Sequence, residues 1–126
     1  MSDVVGTRHG VTVLMCAPDG PPIADEQAAV DLIGTLWGQD VAWIAVPTAR
    51  LTEDFFRLRT RVAGAVVQKI QQYGFGMVVV GDISEHVAGS TALRDFVHES
   101  NQGRQLWFVA DEAELDERFS ALAGRT

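Results

Sequence analysis

The sequence predicts a single α/β domain on a mostly parallel sheet of four to five strands, a β-hairpin followed by βα units, with about four helices. Three observations carry that expectation. From residue 41 onward, short apolar runs alternate with stretches of helical period, the order that builds parallel strands joined by right-handed crossovers. The run "MVVV" at 77–80 shows no polar alternation, as expected of a strand covered on both faces. The chain has 126 residues, 47% hydrophobic and 21% charged, which suits one core and no more. No repeat, low-complexity tract or linker divides it. Residues 11–126 therefore read as one domain behind a flexible N-terminus at 1–10.

The elements follow in order. "VTVLMCA" (11–17) is a short apolar run of strand length. "PDGPP" demands a turn, because Asp-Gly supplies positive φ and proline cannot join a ladder. "PIA" then pairs back to complete a hairpin. Asp25 is placed to cap a helix whose apolar set is Ala29, Ile33, Leu36 and Trp37, and Gly38 ends it. "VAWIAV" (41–46) is the next strand, closed by Pro47. Thr52 is placed to cap a long helix running to Tyr73, with Glu53 and Asp54 at its positive end and Gly74 as its stop. After "MVVV", "GDISEH" leads to a helix over 86–100. "QLWFVA" (105–110) is the last strand, and Asp111 with Glu114 opens the last helix.

Composition narrows the function classes. A net charge of −7 and a pI near 4.7 argue against non-specific binding to nucleic acid or an anionic membrane. Cys16 is the sole cysteine, so no internal disulfide and no multi-thiolate metal site can form; its apolar neighbours suit a small buried hydrophobe. His9, His86 and His98 lack metal-ligand spacing, so no metal or cofactor is implied. No run reaches the ~18 apolar residues of a membrane span, and "MSDVVGTRHG" lacks a signal peptide's apolar region, so a cytoplasmic setting is expected.

The long helix contains "FFRLRTRVAG", with Arg57, Arg59 and Arg61 on alternate positions. At about 100° per residue from Phe55, the apolar residues Phe56, Ala63, Val66, Val67 and Ile70 fall between about 20 and 120°. Arg57 and Arg61 fall at about 200 and 240°, facing water, whereas Arg59 falls at about 40°, inside the apolar arc. A guanidinium there requires a partner. Either Asp82, at the end of the following strand, or a carboxylate elsewhere neutralises it, or a bound anion does.

Ligands of open α/β sheets sit beyond the carboxyl ends of the strands. Around "GDISEH" that edge collects Asp82, Ser84, His86 and Ser90, with His86 and Ser90 on the face of Leu93 and Val97. The spacing fits no nucleophile elbow, and Ser84 and Asp82 also suit turn and cap positions. The glycines of "YGFGMVVVGD" precede their strand, unlike a dinucleotide loop. Trp37, Trp43 and Trp107 are expected in or beside the core.

The stretches "DFFRLRT" and "LRDFVHESNQGRQLWFV" resemble an uncharacterised, mainly bacterial family, domain of unknown function 4180, over nearly the whole chain from about residue 11. That family implies no chemistry. The element order is more distantly similar to STAS-like domains, the anti-sigma-factor antagonist fold. There a phosphorylatable serine or threonine opens a helix at the position of Thr52. Here Glu53 and Asp54 follow it, in place of the usual Asp-Ser-Ser-Gly pattern, and their charges oppose a phosphate. The expected function is a non-enzymatic cytoplasmic regulatory or protein-interaction module, its partner another protein or a second copy. The alternative is a small anionic ligand, bound or transformed around Arg59, Asp82 and His86.

Overall fold

A computed structural model describes residues 3–123. Its elements are β1 (Val4–Arg8), β2 (Val11–Met15), α1 (Glu26–Gly34), β3 (Trp43–Pro47), α2 (Glu53–Phe56), α3 (Val62–Gln72), β4 (Gly76–Val80), α4 (Ser84–Ala88), α5 (Thr91–Gln102), β5 (Leu106–Val109) and α6 (Glu112–Ala123). Single 3-10 turns lie at Thr48–Arg50 and Leu58–Thr60. The five strands lie in chain order, β1-β2-β3-β4-β5, with only the β1–β2 pair antiparallel. Four helices have nine residues or more, α1, α3, α5 and α6, the number the periodicity predicts.

A strand order that always advances in one direction places every right-handed crossover on the same side. Accordingly α1, α3 and α5 bury Leu14, Ile44, Val46, Met77, Val79, Leu106 and Phe108 on one face of the sheet. The opposite face receives α6 alone, whose fully buried Leu115 and Phe119 cover Val13, Trp43, Ala45, Val78, Trp107 and Val109. On that face the Trp43 and Trp107 rings stack at 4.1 Å between centroids. They meet across β4, where Gly76 leaves the room: a Cβ on it would lie 2.6 Å from the Trp43 ring.

Three local expectations are corrected. The hairpin is formed by β1 and β2, so residues 4–8 are a strand and not a loose end; "PDGPP" instead begins the connection to α1. His9 and Gly10, at φ of +52° and +80°, make the two-residue turn whose twist matches paired strands. The helix expected from 53 to 73 is broken into α2, a 3-10 turn and α3. The Thr60 hydroxyl lies 2.6 Å from the Asp54 carbonyl and 2.7 Å from that of Arg57, claiming acceptors that a continuous helix needs, and Arg61 turns left-handed at φ +64°. The helix expected over 86–100 is likewise split at Gly89–Ser90, with Ser90 Oγ accepting from the Leu93 amide to cap α5.

Trp37 is the third correction. It is 92% exposed. After Gly34 the chain tightens into i to i−3 bonds, Thr35 N to Leu32 O and Leu36 N to Ile33 O. At three residues per turn Leu36 continues the buried line of Ile33, and the next residue swings out to water.

Candidate functional site

The helix break relocates Arg59. It sits exposed on the 3-10 turn, and among the described residues it makes no ion pair and no hydrogen bond. The expected Arg59–Asp82 pair does not form. Asp82 is exposed, and its carboxylate accepts from the Ser84 amide at 2.9 Å. That amide, then the Ser84 hydroxyl, holds the carboxyl below its usual range. His86 is exposed and lies flat on buried Phe56, centroids 4.3 Å apart and planes within 11°.

Three of the five sequence-predicted ligand residues do come together. Arg59, His86 and Ser90 line an open groove of about 490 Å³ with Phe56, Arg57 and Glu85, while Asp82 and Ser84 fall outside the lining. Arg57 is tied to Glu53 at 3.2 Å, which leaves Arg59 as the groove's unpaired guanidinium among the described residues. No acid–base relay is assembled: the Ser90 hydroxyl caps a helix and Asp82 closes a turn. The groove brings together the Arg59 guanidinium, the Glu85 carboxylate and the His86 ring.

Among the described residues the buried arginine is Arg50, 3% exposed, at the end of the turn after β3. Its Nε donates to the Pro21 carbonyl at 2.6 Å, and its Nη1 donates to the Ala17 carbonyl at 3.0 Å and to Asp3 Oδ1 at 2.9 Å. Asp3 also accepts from the Ala17 amide at 2.8 Å, so one carboxylate joins β1, the β2–α1 connection and the β3 edge. The helical projection missed Arg50 because a three-residue turn has no period to phase it. Cys16 lies beside this cluster. Burial and then the Asp3 charge, against the opposing pull of Arg50, push its thiol up to about 12, so it is no nucleophile at neutral pH.

Thr52 begins α2, yet its hydroxyl caps nothing: Oγ1 is shut from solvent and has no hydrogen-bond partner among the described residues. A phosphate could not be added there without opening the segment. An orphaned hydroxyl costs about 1–3 kcal/mol of desolvation. Thr52→Val, which keeps the shape and the extended backbone, is therefore expected to raise stability by about 1 kcal/mol, read as a higher urea midpoint at unchanged slope.

A second concave feature lies beyond the C-terminus of α1. Exposed Trp37 and Tyr73, the latter 56% exposed, line an apolar cleft of about 280 Å³ together with Val30, Ile33, Leu36 and Phe75.

A family described as a domain of unknown function, DUF4180, matches residues 8–119. The chain belongs to the DUF4180 family. No curated protein and no solved structure matches it. The DUF4180 match takes in the groove, the cleft and Arg50, whereas Asp3 and most of β1 precede it. Among the described residues of this DUF4180 domain no cluster of three His, Cys, Asp or Glu side chains is placed to hold a metal. No helix among the described residues is long and apolar enough to cross a membrane.

Proposed function

We propose that this DUF4180 domain is a non-enzymatic cytoplasmic regulatory module that works by docking a partner protein on the Trp37–Tyr73 cleft. The observation that carries the reading is the 92% exposure of Trp37 in a domain whose other two tryptophans are buried. Interfaces concentrate their energy in tryptophan and tyrosine beside a pocket, and an exposed indole over an apolar cleft has that form. The acidic net charge favours protein over nucleic acid as partner. The resemblance of the element order to STAS-like regulators favours the same reading, although the buried Thr52 hydroxyl speaks against control by phosphate at that site.

A second reading rests on unpaired Arg59 and His86 lining one groove: an anionic ligand held there. One experiment separates the two. Wild-type protein and Trp37→Ser are recovered from cells of the source under crosslinking, and each is heated with a panel of anionic metabolites. The docking reading expects proteins retained by wild type and lost with Trp37→Ser, whose fold is unaffected because the side chain is exposed. Equal recovery by both proteins overturns it. A metabolite that raises the melting temperature of wild type but not of Arg59→Ala establishes the second reading instead.

A further inference from the structure

The sheet has two edges, and they are finished differently. At the β5 edge the outward amide of Phe108 donates to Asn101 Oδ1 at 2.7 Å, so a side chain occupies the position a further strand would take. Among the described residues the β1 edge has no such cover. Its bonding direction follows from its neighbour: the Thr12 carbonyl accepts from Ala42 and the Cys16 amide donates to Ala45, so even-numbered residues of β2 bond towards β3. The odd-numbered ones, Val11, Val13 and Met15, therefore bond Arg8, Gly6 and Val4, their partners in register. Val5 and Thr7 are left with N–H and C=O directed out of the sheet. Among the described residues neither amide finds a partner.

β1 also lacks the devices that keep an edge from pairing. "VVGTR" has no proline, lysine or bulge. Its one charge, Arg8, is neutralised within the chain by Asp116 at 2.8 Å and Glu112 at 3.2 Å, so it does not repel an approaching strand. Val4, at the other end of β1, is 60% exposed. The two outward residues flank Gly6 symmetrically. An antiparallel copy related by a two-fold axis at Gly6 sets Val5 of one chain opposite Thr7 of the other, and both pairs exchange N–H···O bonds. The same operation lays the exposed Val4 against the aliphatic stem of Arg8 in the second copy.

We propose that this domain forms a two-fold dimer by antiparallel pairing of β1 with β1 of a second copy, which joins two five-stranded sheets into one of ten strands. This contact uses neither the Trp37 cleft nor the Arg59 groove, so it stands or fails apart from the docking function.

The test is the solution mass of the intact chain from micromolar to millimolar concentration, by sedimentation equilibrium, for wild type and two variants. Wild type is expected to be a dimer. Thr7→Pro removes an outward amide that takes no part in the β1–β2 ladder, and is expected to weaken association roughly tenfold or more. Gly6→Cys, in a Cys16→Ala background, places two thiols at the axis in a non-hydrogen-bonded pair. The Cα separation of about 4.5 Å there lies within the range a disulfide spans, and a Cβ at Gly6 meets no atom within 4 Å. Mild oxidation is expected to link the two copies of that variant covalently. A wild-type monomer across the whole range, with the Gly6→Cys thiol left free, overturns the proposal. A dimer that persists unchanged in Thr7→Pro and leaves the Gly6→Cys thiol free overturns it equally.

Discussion

Gly76→Ala is expected to destabilise the domain by about 3 kcal/mol, with a fall in Tm of roughly 10 °C. The added methyl would lie 2.6 Å from two carbons of the Trp43 indole. That ring is a poor candidate to yield. It is 6% exposed, stacked on Trp107 at 4.1 Å, and met edge-on by Phe119 at 5.8 Å. Moving it therefore disturbs the whole layer under α6, the single helix covering that face. Against a total stability of about 5–15 kcal/mol the loss is large but leaves a folded protein. Denaturation midpoints measure the cost, and the near-UV circular dichroism of the stacked indoles reports its origin. Trp43→Leu in the same chain should recover part of the loss, because the two substitutions share one contact. An unchanged midpoint in Gly76→Ala would mean that the stack does not depend on the glycine.

Arg50→Ala is expected to cost more, about 3–5 kcal/mol, as for other buried pairs broken from one side. The substitution strands the Asp3 carboxylate and the carbonyls of Ala17 and Pro21 together. It also loosens a tie between segments, since the Ile23 amide bonds the Arg50 carbonyl at 2.7 Å and Asp3 anchors the start of β1. Arg50→Lys is expected to recover little: a guanidinium directs separate N–H groups at three fixed acceptors, and one ammonium on a flexible stem cannot span them. Gly20→Ala provides an independent check, because its Cβ would run into the Arg50 Nη1 and Cζ atoms. Urea midpoints of the three variants decide the matter. Arg50→Lys matching wild type would show that charge alone suffices, and the three-way geometry would lose its importance.

Much of the architecture was legible because it rests on periodicity. The fully apolar runs around Ile44, Val78 and Phe108 are strands, and the spacing of Ala63, Val66, Val67 and Ile70 does mark a buried helical face. The reading failed where period is interrupted over fewer residues than one repeat. Thr60 and Arg61 break the helix between two segments that are each correctly phased. Continuing one projection through them turned an exposed Arg59 into a buried one. Trp37 failed in the same way, one tightened turn beyond the end of α1. Of the candidate groove, the sequence placed His86 and Ser90 at the correct sheet edge, but Asp82, one of the partners it offered Arg59, instead accepts from the Ser84 amide.

By itself, then, the sequence determined the class of fold, the parallel order of its last four strands, the absence of any disulfide within the chain and the acidic surface. These properties follow from composition and from hydrophobic period, and both are sums over many residues that tolerate a local error. Only the tertiary structure decided which arginine is buried, which tryptophan is exposed and which strand completes the hairpin. The third depends on a β1–β2 ladder whose strand at 4–8 has no strong apolar run. The first two depend on a few hydrogen bonds in short turns at the ends of elements, where a side chain such as that of Thr60 outcompetes the backbone by about 1 kcal/mol. Energies of that size leave no periodic trace in a sequence, yet they direct the side chains that water, ligands and partners meet.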